Sequence, residues 1–262
     1  MNKKLRVLLI CHEKATLDRY GLPRWLASFS HLAGLIVLKE PGRLLLRRIK
    51  REIERTGIAR FSDVAAFRMY YMLFRARRDR IWEERKLAEI SAQYPRPPGD
   101  TPEIVTSDPN GGAAEKFIRS VQPDLMIARC KVILKRSVYA LPPLGTFVFH
   151  PGICPEYRNA HGCFWAIVNG ETEKVGMTLL RIDQGVDTGP VYAYYSSPRR
   201  GTGESHIIIQ HKAVLANLDR LRDKLLEIHA GTAVPLNTSG RRSASWGQPW
   251  LTRYLKWKYT SR

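Results

Sequence analysis

Short, nearly uninterrupted apolar runs, spaced just far enough apart for a helix between them, restrict this chain more than any other feature. LRVLLIC at 5–11 is one such run and LAGLIVLK at 32–39 the next, with room for a helix in the RYGLPRWLASFSHL stretch. Strands buried on both faces read as continuous apolar runs, and two of them joined through a helix form a parallel pair. The rhythm resumes after residue 98. EIVTS, DLMIARC and TFVFH read as strands, AAEKFIRSV as a helix, and KVGMTLLRID and VDTGPVYAYYS as two further strands joined by a turn. The expectation is an α/β fold with a mostly parallel sheet flanked by helices.

Between Pro41 and Pro98 the pattern changes. Leu44, Leu45, Ile49 and Ile53 sit at helical spacing among basic residues. A second helix is expected to start at Ser62, whose hydroxyl can cap a first turn, and to run through Val64, Phe67, Tyr71 and Phe74. RARRDRIWEERKLAEI continues it in polar form. This reads as a helical insertion over about 41–98 within a catalytic domain of residues 1–235. Its apolar faces can pack on the core, meet a partner or lie on a membrane surface, packing being the commonest outcome. The clearest helix is expected over Ser205–His229, with Gly231 just past its end. Residues 236–262 form a basic-aromatic tail in which Trp246, Trp250, Tyr254, Trp257 and Tyr259 alternate with Arg and Lys.

The formal net charge is +19, and its location is uneven. Arg43–Lys86 holds 14 Lys/Arg against 6 Asp/Glu, or +8, and the tail from Arg241 adds +6 with no acid. Such a surface attracts anions: nucleic acid, anionic lipid or phosphorylated metabolites. Aromatics interleaved with basic residues are compatible with strand binding or interfacial membrane contact, yet no nucleic-acid motif accompanies them. Cys11, Cys130, Cys154 and Cys163 include no C-x-x-C pair. Neither a metal site nor a disulfide framework is indicated, and a reducing, cytoplasmic compartment is the expectation. The N-terminal apolar run is cut by His12, Glu13 and Lys14, unlike a signal peptide. No segment reaches the roughly 18 apolar residues of a spanning helix.

Two segments hold residue types that packing alone does not explain. FHPGICPEYRNAHGCFWAIVNGE, residues 149–171, places His150 at a strand end before a turn-rich loop and an apolar helix. GMTLLRIDQGVDTGP, residues 176–190, places Asp183 and Asp187 in a glycine-supported turn. Active sites of open parallel sheets lie beyond the carboxyl ends of the strands, where His150 falls. An imidazole and a carboxylate brought together can do acid–base work at neutral pH. Both aspartates can equally serve only to bond the turn backbone.

Taken together, these segments resemble the formyltransferase family, which includes methionyl-tRNA, glycinamide ribonucleotide and sugar-amine formyltransferases. The resemblance rests on His150, Pro155-Glu156-Tyr157-Arg158, Trp165-Ala166-Ile167, Gly170-Glu171, Gly176-Met177-Thr178 and Asp187-Thr188-Gly189-Pro190, in that order. It is dense from about Pro123 to Tyr195, and it implies a Rossmann-like formyltransferase fold for the α/β sheet. It implies formyl transfer from 10-formyltetrahydrofolate, as co-substrate and without a metal, to an amine. It implies an Asn-His-Asp catalytic set with His150 and Asp187 in the last two places. The Asn place holds Val148, which cannot donate a hydrogen bond. Asn159 is a possible substitute donor, and a turn residue on the plainer reading. Arg129, Cys130, Pro155, Tyr157, Arg158, Gly185, Thr188 and Gly189 would form the substrate and co-substrate loops. Arg129 and Cys130 stand where relatives often carry Tyr-Gly, which implies a reshaped pocket.

The acceptor is expected to be a small anionic amine, such as a nucleotide-linked sugar or a phosphorylated metabolite. Methionyl-tRNA formyltransferases carry a further C-terminal domain, so a chain of this length sets the expectation that initiator tRNA is not the acceptor. Three rivals stand beside this reading: hydrolysis of formyl-folate, a non-catalytic or weakly catalytic binding protein that kept the fold, and a nucleic-acid-binding protein. Oligomeric state is not legible.

Overall fold

A computed structural model describes residues 4–39, 53–54, 57–198 and 204–260. The first strand, β1 (Arg6–His12), is buried along nearly its whole length. A short π-helical turn at Leu17–Gly21 leads into α1 (Leu22–Phe29), and β2 (His31–Leu38) returns beside β1 in parallel. Two helices follow, α2 (Ile58–Phe74) and α3 (Ala76–Gln93). The α/β alternation then runs β3 (Glu103–Thr106), α4 (Gly112–Val121), β4 (Leu125–Arg129), the single turn α5 (Arg136–Tyr139) and β5 (Thr146–His150). The two-residue β6 (Arg158–Asn159), α6 (Gly162–Val168), β7 (Gly176–Arg181) and β8 (Val191–Ser196) come next. Helices α7 (His206–Leu215) and α8 (Leu218–His229), the short β9 (Ser245–Trp246) and α9 (Leu251–Thr260) follow.

The main sheet has seven strands in the order β3-β2-β1-β4-β5-β7-β8. The pairs from β3 to β5 are parallel, while β7 runs antiparallel to both β5 and β8. This is the mostly parallel α/β sheet expected. Strand alternation divides the core into two layers. Val7, Leu9, Cys11, Ile127, Phe147 and Phe149 face one side with Trp25 of α1 and Ile209 and Leu221 of α7 and α8. Leu8, Ile10, Met126 and Ala128 face the other with Ile118 of α4 and Val138 of α5, and Val148 packs at its edge. Because side chains two apart share a face, His150 projects to the Val148 side. The chain steps outward from β1 to β3 and then crosses back to β4, so the crevice between β1 and β4 opens at the carboxyl ends of the strands.

Two sequence expectations need correction. The insertion helix starts at Ile58, not Ser62; Ser62 Oγ instead donates to the Ile58 carbonyl at 3.0 Å, one turn back, where a mid-helix serine finds its nearest acceptor. The helix expected over Ser205–His229 is broken at Asn217, whose side-chain amide donates to the carbonyls of Ala213 and Ser196 and whose backbone (φ −120°) leaves the helical region. Its start is as expected: Ser205 Oγ accepts from the Ile207 and Ile208 amides, and Gly231 (φ +74°) follows its end. The expected helix around Leu44–Ile49 lies outside the described residues. Helix α3 is tied to the core where the buried Asp79 accepts from Tyr71 and Ser205 hydroxyls. Among the described residues, no helix is long and apolar enough to cross a membrane.

Candidate active site

His150, 4% exposed, ends β5 with both ring nitrogens engaged. Its Nε2 lies 2.7 Å from the Tyr157 carbonyl and its Nδ1 3.3 Å from Asp187 Oδ2. A carbonyl oxygen only accepts, so Nε2 carries a proton. A neutral ring would then turn a bare Nδ1 toward a carboxylate. The contact is attractive only when one more proton is present, on the imidazole or on Asp187. The two groups lie close enough to share a proton. The Nδ1 contact, at 3.3 Å, is longer than a settled N–H···O bond.

The loop after His150 holds both members of the pair. Tyr157 supplies the carbonyl on Nε2, and the Asn159 backbone N–H donates to Asp187 Oδ2 at 2.8 Å. Three of the four non-glycine residues with positive φ among those described fall here: Asn159 (+73°), His161 (+57°) and Asp187 (+53°). Asn, Asp and His tolerate this region best, and such conformations persist only where surrounding bonds impose them. Gly152 permits the close approach of the loop to the ring. A Cβ there would lie 2.8 Å from His150 Nε2 and 2.7 Å from the Tyr157 carbonyl, and 3.0 Å from Gly162 Cα. Thr178, opposite His150 in the β5–β7 register, donates to the Gly152 carbonyl at 2.6 Å and accepts from the Cys154 amide at 3.0 Å.

The tail is built into this loop. Strand β9 pairs with β6, with the Arg158 amide donating to Ala244 and the Ala244 amide to Pro155. Trp246 stacks on Tyr157 (centroids 5.6 Å, 17°) and on Trp165 (4.9 Å, 24°), and its indole N–H donates to the Glu156 carbonyl at 2.9 Å. Arg241 grips the Glu156 carboxylate with two bonds, at 3.0 and 2.7 Å. Sequence reasoning read these aromatics as a possible nucleic-acid or membrane surface. It missed Trp246, Arg241 and Thr178 as supports of the loop. Contacts bridging some 85 to 90 residues have no local signature.

Arg158 reaches across the site, donating to the Val186 carbonyl at 2.9 Å and to Ser243 at 3.0 Å. Asp183 closes its own turn by accepting from the Gly185 amide at 2.9 Å and Thr188 Oγ1 at 2.7 Å. Gly189 sits against the Arg181 carbonyl, leaving no room for a side chain. Arg129, at the end of β4, is committed to Asp18 (2.9 Å) and to the Phe149 carbonyl (2.6 Å) beside His150. Asn159 directs its side-chain amide to the Trp246 carbonyl at 2.7 Å, which binds the tail. Val148 packs near Cys154, Leu180 and Val191 in an apolar pocket.

Burial pushes the Cys11 and Cys163 thiols up to about 12 and Cys130 up to about 11, and raises Cys154 as well, so none is poised as a thiolate. Burial also holds His161 down to about 4, helped by the Lys131 and Arg68 cations, and His206 well below its usual value. Those two rings lie 5.2 Å apart between α2, α6 and α7 and stay neutral at pH 7. Among the described residues, no three metal-capable side chains converge. An open cavity of about 540 Å³ lies at the amino end of β5, lined by Tyr139, Arg136, Arg181 and Asp183 and not by His150 or Asp187.

A family profile described as formyl transferase matches residues 100–198, the stretch from β3 to β8 that holds His150 and Asp187. A methionyl-tRNA formyltransferase of Syntrophus aciditrophicus is 34% identical over 116 residues, covering 43% of this chain and 34% of its own length. One from Flavobacterium psychrophilum is 34% identical over 128 residues, covering 45% of this chain and 40% of its own. The alignments thus span well under half the length of these relatives. Among solved structures, phosphoribosylglycinamide formyltransferase from Anaplasma phagocytophilum superposes with a TM-score of 0.54 at 15% identity, over 94% of this chain and 100% of that one. A sugar N-formyltransferase from Shewanella gives 0.51 at 13% identity, over 92% and 76%. Likeness at these identities is likeness of fold.

Proposed function

We propose, on the match of residues 100–198 to the formyl transferase profile, that the chain acts as a member of that family and transfers a formyl group from 10-formyltetrahydrofolate to a primary amine. The observation that carries this reading is the buried His150–Asp187 pair, whose ring nitrogen and carboxylate lie close enough to share a proton. The donor supplies the formyl carbon. The amine forms a bond to that carbon, the bond to the donor nitrogen breaks, the amine gives up a proton and the donor nitrogen gains one. Asp187 takes the amine proton at Oδ2, and His150 places a positive N–H beside the oxygen that becomes negative. Tyr157 and Asn159 fix the far sides of both groups, so little reorganisation accompanies the charge movement. The turn around Gly185 and Thr188 and the Arg129–Cys130 strand end would hold the donor.

The fit to that donor is incomplete in one place. Val148 brings a methyl surface to the position of the family's asparagine. Removing one oxyanion donor costs about 10²–10³ in turnover, so a slow enzyme is expected. The same residue favours a second reading, a folate-binding protein that kept the fold without turnover. The net charge of +19 favours an anionic acceptor such as a nucleotide-linked amino sugar.

The test follows tetrahydrofolate release by absorbance with a panel of amino-sugar nucleotides and phosphorylated amines. Release that requires an amine and falls about 10²–10⁴-fold in His150→Gln supports formyl transfer. Formate without any amine identifies a hydrolase. Calorimetric binding of a stable formyl-folate analogue without turnover identifies the binding protein, and no binding at all would sink the proposal.

A further inference from the structure

Helix α2 has two apolar faces and buries only one. Val64 and Phe67 point inward, Phe67 packing on Phe164, His206 and Tyr254. On a 3.6-residue helix, Ile58, Met69, Met72 and Leu73 fall on the opposite side. There Met69, Met72 and Leu73 are 59%, 64% and 70% exposed, and Phe74, ending the helix, is 66% exposed. Four large apolar side chains within six residues on the outer surface form a patch of the kind that marks an interaction site. A helix apolar on both sides is ordinarily covered on both.

The charge around the patch selects its occupant. Residues 60–80 hold six arginines against two aspartates. Both acids are already used: Asp63 accepts from Thr252, and Asp79 is buried against Tyr71 and Ser205. Arg77, Arg78 and Arg80 are exposed at the corner beside Leu73 and Phe74, and α9, docked against α2, adds Arg253, Lys256 and Lys258 without an acid. A second copy would bring like charges together. RNA would be served by exposed aromatics on which bases stack, whereas this surface is mostly aliphatic and thioether. An apolar strip rimmed by arginine has the composition of an interfacial helix lying in the headgroup region of an anionic bilayer.

We propose that the outer face of α2, through Met69, Met72, Leu73 and Phe74 with Arg77 and Arg78 at its rim, docks on an anionic membrane surface. The docking is peripheral and independent of the formyl-transfer reading.

Flotation of the full chain with vesicles tests it directly. The protein is expected to float with phosphatidylcholine–phosphatidylglycerol vesicles, to stay behind with phosphatidylcholine alone, and to be released by salt. Arg77→Ala with Arg78→Ala should weaken binding about 30-fold, from the usual contribution of a basic residue near such a surface. Met72→Ser with Leu73→Ser should weaken it by about tenfold or more. All four positions are exposed, so unchanged melting temperatures will separate lost docking from lost folding. Three outcomes overturn the proposal: no flotation with either vesicle, a dimer that Leu73→Glu dissociates, or RNA retention that the arginine variant abolishes.

Discussion

Replacing Gly152 with alanine would put a methyl group against the two atoms that hold the His150 ring. The new carbon would lie 2.7 Å from the Tyr157 carbonyl oxygen and 2.8 Å from His150 Nε2, with Gly162 Cα at 3.0 Å behind them. Ordinary contact needs about 3.5 Å, so neighbours must retreat by roughly 0.7 Å. Two of the three atoms are backbone, and rotating a flexible side chain does not relieve them. The 2.7 Å bond between Nε2 and Tyr157 lies directly in the path. Overpacking of this kind costs about 1–3 kcal/mol, and the lost bond about 1 kcal/mol more. At about 2–4 °C per kcal/mol for a chain of this size, the melting temperature should fall by several degrees. In the catalytic role proposed for His150, a displacement of that size lowers the rate about 10²-fold. Gly112→Ala is the control, because its Cβ meets nothing within 4 Å and its residue opens α4; it should be neutral or slightly stabilising. Thermal melts and folate-release kinetics on both variants decide the matter. If Gly152→Ala melts and turns over like the wild type, the packing argument for how His150 is held is wrong.

Val148→Asn should raise turnover by about 10²-fold by restoring a donor. It should also lower stability by about 1–3 kcal/mol, because the amide enters the apolar pocket of Cys154, Leu180 and Val191; unchanged kinetics would remove residue 148 from the account of slow catalysis. Trp246→Ala removes two ring stacks and the indole bond to Glu156. It should cost about 3 kcal/mol, the low end for a tryptophan, and speed hydrogen exchange at the Asn159 and Ala160 amides; protection equal to wild type would show that the tail does not hold the loop. Stability should fall as pH drops. Burial holds His161 and His211 near 4 in the folded state, below the usual 6.5. Between those values the unfolded chain binds protons that the folded one refuses, so stability present above pH 6.5 is lost toward pH 4. Melting temperatures across that window should decline, and less so in His211→Gln.

The chain's own order of residues determined its sheet, because strands buried on both faces cannot avoid reading as continuous apolar runs. It also marked His150 and Asp187, since a histidine at a strand end and a D-x-G-x-D-T-G-P turn are local patterns. Helix limits were less legible. Ser62 had the chemistry of a cap but found an acceptor one turn back, and Asn217 broke a helix through bonds to Ser196 on another element. Only the tertiary structure decided which groups are free to act. Arg129 and Asn159 looked available as site residues, yet they are bonded to Asp18 and Phe149 and to Trp246. The tail looked like a solvent-facing basic-aromatic strip, and Trp246 instead lies between Tyr157 and Trp165. The outer face of α2 was legible as apolar but not as uncovered. Hydrogen bonds and burial between distant segments depend on where the chain returns in space, and residue spacing along it carries no record of that.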